Sequence, residues 1–181
     1  VWEIGIPNRN ASEFFKADEY NKPEISLDYA VLFPDDITYT IGQSDYRKDW
    51  FFQHVPHNED PNATVSPFFG ARSPGRATPY TVVFNLPSAP TGKATLRLGI
   101  CGNGTRKLEI GVNGRAAGAL EGLTTDGVIT RHGTHGLWNE QLFAFDAARL
   151  KAGRNTLTLT VPAGAVNDGI MYDYIRLELD E

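Results

Sequence analysis

The sequence predicts an all-β fold, an antiparallel β-sandwich, and three observations carry that expectation. Short runs in which apolar and polar residues alternate recur along the chain, the two-residue period of a strand with one buried face. Among 181 residues, 18 glycines and 11 prolines punctuate those runs, which suits many short strands joined by turns better than long helices. Asn113-Gly114 separates two of the runs and is the strongest hairpin dipeptide in the chain.

Length and composition set the bounds. A chain of 181 residues fits one domain, 1–181, with a substantial core. The net charge of −5 argues against nucleic acid as a partner, while leaving room for a local basic patch that meets an acidic polysaccharide. Cys101 is the sole cysteine, so there is no internal disulfide; following Leu96, Leu98 and Ile100, it reads as a packed thiol rather than a nucleophile. No stretch is long and apolar enough to span a membrane. The sole methionine is Met171, and an excised domain is expected, with chemistry residing elsewhere in a longer protein.

Taken in order, Val1–Gly5 is a short apolar strand, and Ser12 can cap a helical turn beginning at Glu13. Ile37, Tyr39 and Ile41 alternate with threonines and close at Gly42. In the following segment, Arg47 and Lys48 interleave with Tyr46, Trp50 and Phe52. These residues either form a sugar-stacking platform with carboxylate-binding cations, or Trp50 and Phe52 anchor the segment in the core. His54 to Gly75 is the longest irregular stretch and is expected to be a mobile loop; His54 and His57 lack the further ligands a zinc site needs. Tyr80–Leu86, Leu96–Ile100 and Leu108–Val112 read as an antiparallel meander, returning after Asn113-Gly114 along Arg115–Leu120. On that reading Arg97 and Lys107 have outward parity and can share one sheet face.

Thr124–Glu140 is a loop that gathers Arg131, His135 and Trp138. Arg131 either bridges to a buried carboxylate such as Asp173 or faces a ligand carboxylate with its planar fork. Asn155–Val161 alternates threonine with Leu157, Leu159 and Val161, after a turn at Gly153. In the last strand, Ile175, Leu177 and Leu179 face inward, and Tyr172, Tyr174, Arg176 and Glu178 outward. Asp173 shares the inward parity, where a carboxylate needs backbone donors, a cation or an ion. Asn-x-Ser/Thr triplets at Asn10, Asn62 and Asn103 are candidate glycosylation sites. There is no P-loop, dinucleotide fingerprint, nucleophile elbow or zinc-protease motif.

The run from Phe143 through Asp146-Ala147, Leu150, Gly153 and Asn155-Thr156-Leu157 to Val161, followed by Gly169-Ile170-Met171-Tyr172-Asp173-Tyr174-Ile175-Arg176-Leu177, resembles the end of the C-terminal domain of family 4 rhamnogalacturonan lyases. Trp2-Glu3-Ile4-Gly5 with Phe14, Ile41-Gly42-Gln43-Ser44 with Asp49-Trp50, and Arg131-His132-Gly133 with His135-Gly136 extend the likeness along nearly the whole chain. Asn8 stands where an aspartate is expected. The resemblance implies a jelly roll of the galactose-binding-like kind, similar to carbohydrate-binding modules, from a secreted protein whose catalytic residues belong to another domain. It also implies a structural calcium ion, for which Glu3, Asp173, Glu178 and Asp180 are candidates by topology.

The expected function is therefore a non-catalytic, monomeric module that binds pectic polysaccharide of the rhamnogalacturonan I type in the plant cell wall and holds an attached lyase at its substrate. A uronate on alternate sugars favours cations beside an aromatic, and Arg47, Lys48, Arg97, Lys107, Arg131, His135 and Trp138 are the candidate contacts. The alternative is an accessory domain that packs on the lyase catalytic domain and binds no free sugar. A self-sufficient enzyme is the third and least supported reading.

Overall fold

A computed structural model describes residues 1–65 and 72–180. Two sheets pack face to face. One has four strands, β1 (Trp2–Gly5), β11 (Ile170–Leu179), β5 (Lys93–Asn103) and β8 (Asn139–Asp146), neighbours in that order and all antiparallel. The other has five, ordered β2 (Ile37–Thr40), β4 (Thr78–Leu86), β9 (Gly153–Val161), β6 (Lys107–Val112) and β7 (Arg115–Glu121). Only the β2–β4 pairing within it is parallel. Short strands β3 (Pro74–Gly75) and β10 (Gly164–Ala165) pair separately. Leu96, Leu98 and Ile100 from the first sheet and Leu108, Ile110, Leu157 and Leu159 from the second are buried in the shared core, as their alternation requires.

The strands that alternation marks are where the sequence puts them, but β8 is unexpected, its first residues falling in the stretch that reads as a loop, and the meander is not formed. β4 and β6 lie in the five-stranded sheet with β9 between them, and β5 lies in the other sheet. Successive strands cross the sandwich in the jelly-roll manner. Alternation marks the buried face of a strand and is blind to which sheet supplies that face. Only the Asn113-Gly114 link is tight enough to force a hairpin: both residues are left-handed, with φ of 50° and 74°, and β6 pairs with β7 through it.

β11 departs from strict alternation. Register shifts flank Tyr172, so Met171, Tyr172 and Asp173 are all buried. Tyr172 therefore points inward, against the parity expectation, because a bulge inserts a residue without flipping its neighbours in step.

Residues 6–57 wrap the sandwich with two short helices, α1 (Ile25–Leu32) and α2 (Tyr46–Asp49), the second capped by the Asp45 carboxylate accepting the Arg47 N–H at 3.0 Å. Ser12 is not a helix cap; its N–H is taken by the Asn10 side chain at 2.9 Å, and the helical turn begins only at Ala17. Trp50 and Phe52 are core anchors. The Trp50 ring meets Tyr39, Tyr80 and Tyr172 edge-on at 5.7, 5.1 and 5.9 Å.

The expected loop at His54–Gly75 is corrected over its first residues; 66–71 lie outside the described residues. His54 is buried and stacked on Tyr80 at 3.7 Å. Its Nε2 lies 2.8 Å from the Thr78 carbonyl, which can only accept, so Nε2 carries the proton and Nδ1 accepts from the Tyr172 hydroxyl at 2.8 Å. Burial pushes the imidazole pKa down to about 3 from 6.5. The unfolded chain thus takes up a proton near pH 6.5 that the folded chain refuses until about pH 3. Stability is expected to fall with acidification through that window, by up to about 1.4 kcal/mol per pH unit from this group. Urea unfolding at stepped pH reads the slope, and His54→Gln is expected to flatten it.

Candidate functional site

Two loops meet at one end of the sandwich and are tied to the same buried carboxylate. The loop after β1 brings the backbone N–H groups of Asn8, Arg9 and Asn10 to Asp173 Oδ1 at 2.9, 2.8 and 3.3 Å. The loop between β7 and β8 brings the Trp138 indole N–H to Oδ2 at 2.9 Å. Asp173 is a hydrogen-bonded buried aspartate, satisfied by four donors from segments far apart in sequence. Its inward parity is lost at the bulge: its carboxylate lies beside Tyr174 at the outward side of Gly99, under the loops, and not with Ile175 and Leu177.

Asp126 organises the second loop. Its Oδ1 accepts from the Val128 and Asn103 N–H groups at 3.0 and 3.3 Å, and its Oδ2 from Leu137 at 2.9 Å. A backbone bond from Ala11 to the Thr134 carbonyl at 3.0 Å joins the two loops directly. Asn103 is buried and spends its amide on the Thr105 and Thr124 carbonyls, so this triplet is structural and not open to a glycan.

Three of the seven predicted sugar contacts come together here. Arg131 and His135 border a depression of about 270 Å³ shared with Asp126, Gly127, Val128 and Gly136, and the half-buried Trp138 follows in the same loop. Arg131 does not bridge to Asp173, whose oxygens are taken by amides and the indole. Its guanidinium is exposed and makes no ion pair among the described residues. One further residue belongs to this end: the Arg9 guanidinium sits over the Trp138 ring, 4.9 Å from its centroid. The sequence carried little signal for it, since only the fold brings residue 9 to residue 138.

The other four candidates are not carried by these two loops, although Arg47 borders a separate depression with Ser12 and Glu13. Arg97 and Lys107 do not share a face; β5 and β6 belong to opposite sheets. Arg97 pairs with Glu140 at 2.7 Å and Glu178 at 3.1 Å. The hydrogen bond from Arg97 holds the Glu178 carboxyl below its usual range, and Glu140 also accepts from Tyr174. Lys107 pairs with Glu109 at 2.9 Å and approaches Glu121 at 4.0 Å. Cations spent on neighbouring carboxylates have little left for a ligand. Arg47 and Lys48 are exposed on α2, with Arg47 over the Tyr46 ring at 5.2 Å.

The four calcium candidates, Glu3, Asp173, Glu178 and Asp180, are not brought together as one group of ligands among the described residues. Asp173 is interior and already surrounded by N–H donors, whose positive ends occupy the space a cation needs. Glu178 is held by Arg97 and Arg176, and Glu3 pairs across from Arg176 on the outer face. Among the described residues no group of three or more His, Cys, Asp or Glu side chains is placed to hold a metal.

A β-sandwich that gathers an exposed arginine, an exposed histidine and a half-buried indole on loops at one end has the construction of a carbohydrate-binding-type module. The family model for the CBM-like domain III of polysaccharide lyase family 4 matches residues 1–177. The chain belongs to that family. It is 27% identical over 177 residues to a rhamnogalacturonate lyase of Dickeya dadantii, covering 98% of this chain and 27% of that enzyme. It is 26% identical over 201 residues to a probable rhamnogalacturonate lyase C of Emericella nidulans, covering 92% of this chain and 19% of that protein. The chain thus spans about a quarter or less of these relatives. Among solved structures, a family 35 carbohydrate-binding module from Paenibacillus barcinonensis is 21% identical, with a TM-score of 0.41, over 72% of this chain and 91% of that one.

Proposed function

We propose that the chain is a non-catalytic module that binds pectic polysaccharide of the rhamnogalacturonan type through the loop end of the sandwich, and that it holds an attached lyase domain at that substrate outside the cell. The observation that carries the reading is Arg131. It is exposed at the rim of the depression beside His135 and has no carboxylate partner among the described residues. A guanidinium in that state is available to a uronate as a pair of parallel N–H···O bonds. Membership of the lyase domain III family and the names of the two enzyme relatives support the choice of polymer.

The accessory-domain reading has one observation in its favour. On the outer face of the four-stranded sheet, Leu142 is 54% exposed beside Arg97, which is internally neutralised; such a face suits packing against another domain.

Affinity electrophoresis separates the two. Retardation is expected in gels containing rhamnogalacturonan I, with little in neutral galactan. Arg131→Ala is expected to weaken the interaction roughly tenfold, the loss of about 1.4 kcal/mol that an exposed charge-assisted pair supplies. Raised salt is expected to weaken it further. A monomer that migrates unretarded in every polymer would favour the accessory domain instead.

A further inference from the structure

The Arg9–Trp138 pair asks for an explanation that packing does not supply. Arg9 has a φ of 65°, a left-handed backbone that is strained for a non-glycine residue. Asparagine or glycine would take this position more cheaply. The strain is held in place because three consecutive N–H groups, those of residues 8 to 10, converge on one oxygen of Asp173. The same carboxylate fixes the Trp138 indole through its other oxygen. One buried aspartate therefore sets both the arginine and the ring beneath it.

The guanidinium so placed is exposed and, among the described residues, has no acidic partner. Arg72, Arg76, Arg97 and Arg176 each reach a carboxylate, whereas among the described residues Arg47, Arg106, Arg115, Arg131, Arg149 and Arg154 do not. What distinguishes Arg9 is its seat over a ring fixed by the same carboxylate that holds its own turn. The acidic groups of its own neighbourhood are already engaged. Glu13 accepts the Ile6 N–H at 3.1 Å and the Asn8 amide at 3.4 Å, and Asp173 is filled as above. Contact with an aromatic ring uses the cation's charge and leaves its in-plane N–H donors for another acceptor. The arginine also covers part of the indole, so Trp138 acts as a support for the cation more than as an open sugar-stacking platform.

We infer that Arg9, presented over Trp138 by the Asp173-locked turn, is a carboxylate-contacting residue of the loop end, and that it makes this end selective for hexuronate-bearing glycans over neutral ones. This deepens the polysaccharide-binding reading above and rests on it.

The test is titration calorimetry with two probes: an oligosaccharide of the rhamnogalacturonan backbone, and the same oligosaccharide with its carboxylates reduced to primary alcohols. Wild type, Arg9→Ala, Arg9→Lys and Arg131→Ala are compared, each with its thermal midpoint. For the acidic probe, Arg9→Ala is expected to weaken binding about tenfold at an unchanged midpoint, and Arg9→Lys to recover only part of that loss, because lysine lacks the planar fork. The reduced probe is expected to bind wild type and Arg9→Ala alike. If wild type binds the acidic probe and Arg131→Ala weakens it while Arg9→Ala does not, Arg9 only packs on Trp138; the inference fails and the binding function stands. If wild type binds neither probe, the functional reading fails and takes the inference with it.

Discussion

Asp173→Ala is expected to destabilise the protein by about 2–4 kcal/mol and to abolish polysaccharide binding. The estimate follows from its four donors. Hydrogen bonds to a charged acceptor contribute about 1.5–3 kcal/mol each, and a buried donor left without one costs about 1–3 kcal/mol. The total stays below the simple sum because residues 8–10 lie at the surface and water can replace the lost acceptor there. The indole donor of the half-buried Trp138 is less easily rescued. Asp173→Asn separates the two roles: its oxygen can still accept from the turn at Asn8–Asn10, while its amide meets the Trp138 N–H donor against donor. A smaller stability loss is therefore expected for Asn than for Ala, with the Arg9–Trp138 pair disturbed in both. Urea unfolding together with gel retardation reads the two effects. An alanine variant as stable as wild type would mean that the carboxylate does not fasten these loops.

Trp50→Ala is expected to cost about 3–5 kcal/mol, the range for removing a large buried aromatic and leaving a cavity. Trp50 is 1% exposed and touches the rings of Phe14, Tyr39, Tyr80 and Tyr172, so its loss uncouples the N-terminal wrap from both sheets at once. Its indole N–H has no acceptor among the described residues. Trp50→Phe removes that orphan donor while keeping one ring, and is expected to lose much less than the alanine variant. Denaturant midpoints of the three proteins give the comparison; equal losses for Phe and Ala would show that ring packing is not what Trp50 contributes.

These two residues illustrate what the sequence made legible. Alternation located Tyr80–Leu86, Leu108–Val112, Asn155–Val161 and the last strand, because each buries one face in a continuous core. It anticipated that Asp173 is buried and must be hydrogen-bonded, but put it on the wrong side of the strand, because the bulge breaks the alternation there. Alternation said nothing of sheet membership, so the interleaving of β9 between β4 and β6 came only from the fold. The bulge at Tyr172 was invisible for a related reason: it depends on what that hydroxyl meets, namely His54. In the loop end, Arg131, His135 and Trp138 stand close in sequence and could be grouped on sight. Arg9 could not, since nothing local to residue 9 announces an indole from residue 138. The failure of Arg97 and Lys107 as ligand contacts has the same origin, because Glu140 and Glu178, the partners that neutralise Arg97, come from other strands.

The proposed function places the polysaccharide at the loop end and on neither sheet face. The tryptophans offer a direct reading of it. Trp2 and Trp50 are buried at 7% and 1% exposure, while Trp138 is half-buried at the proposed site, so acrylamide quenching of indole fluorescence reports mainly on Trp138. Titration with a rhamnogalacturonan oligosaccharide is expected to protect that fluorescence saturably, with the protection lost in Trp138→Phe. Binding that retards the protein in a gel but leaves the quenching of Trp138 unchanged would place the ligand elsewhere and contradict the account.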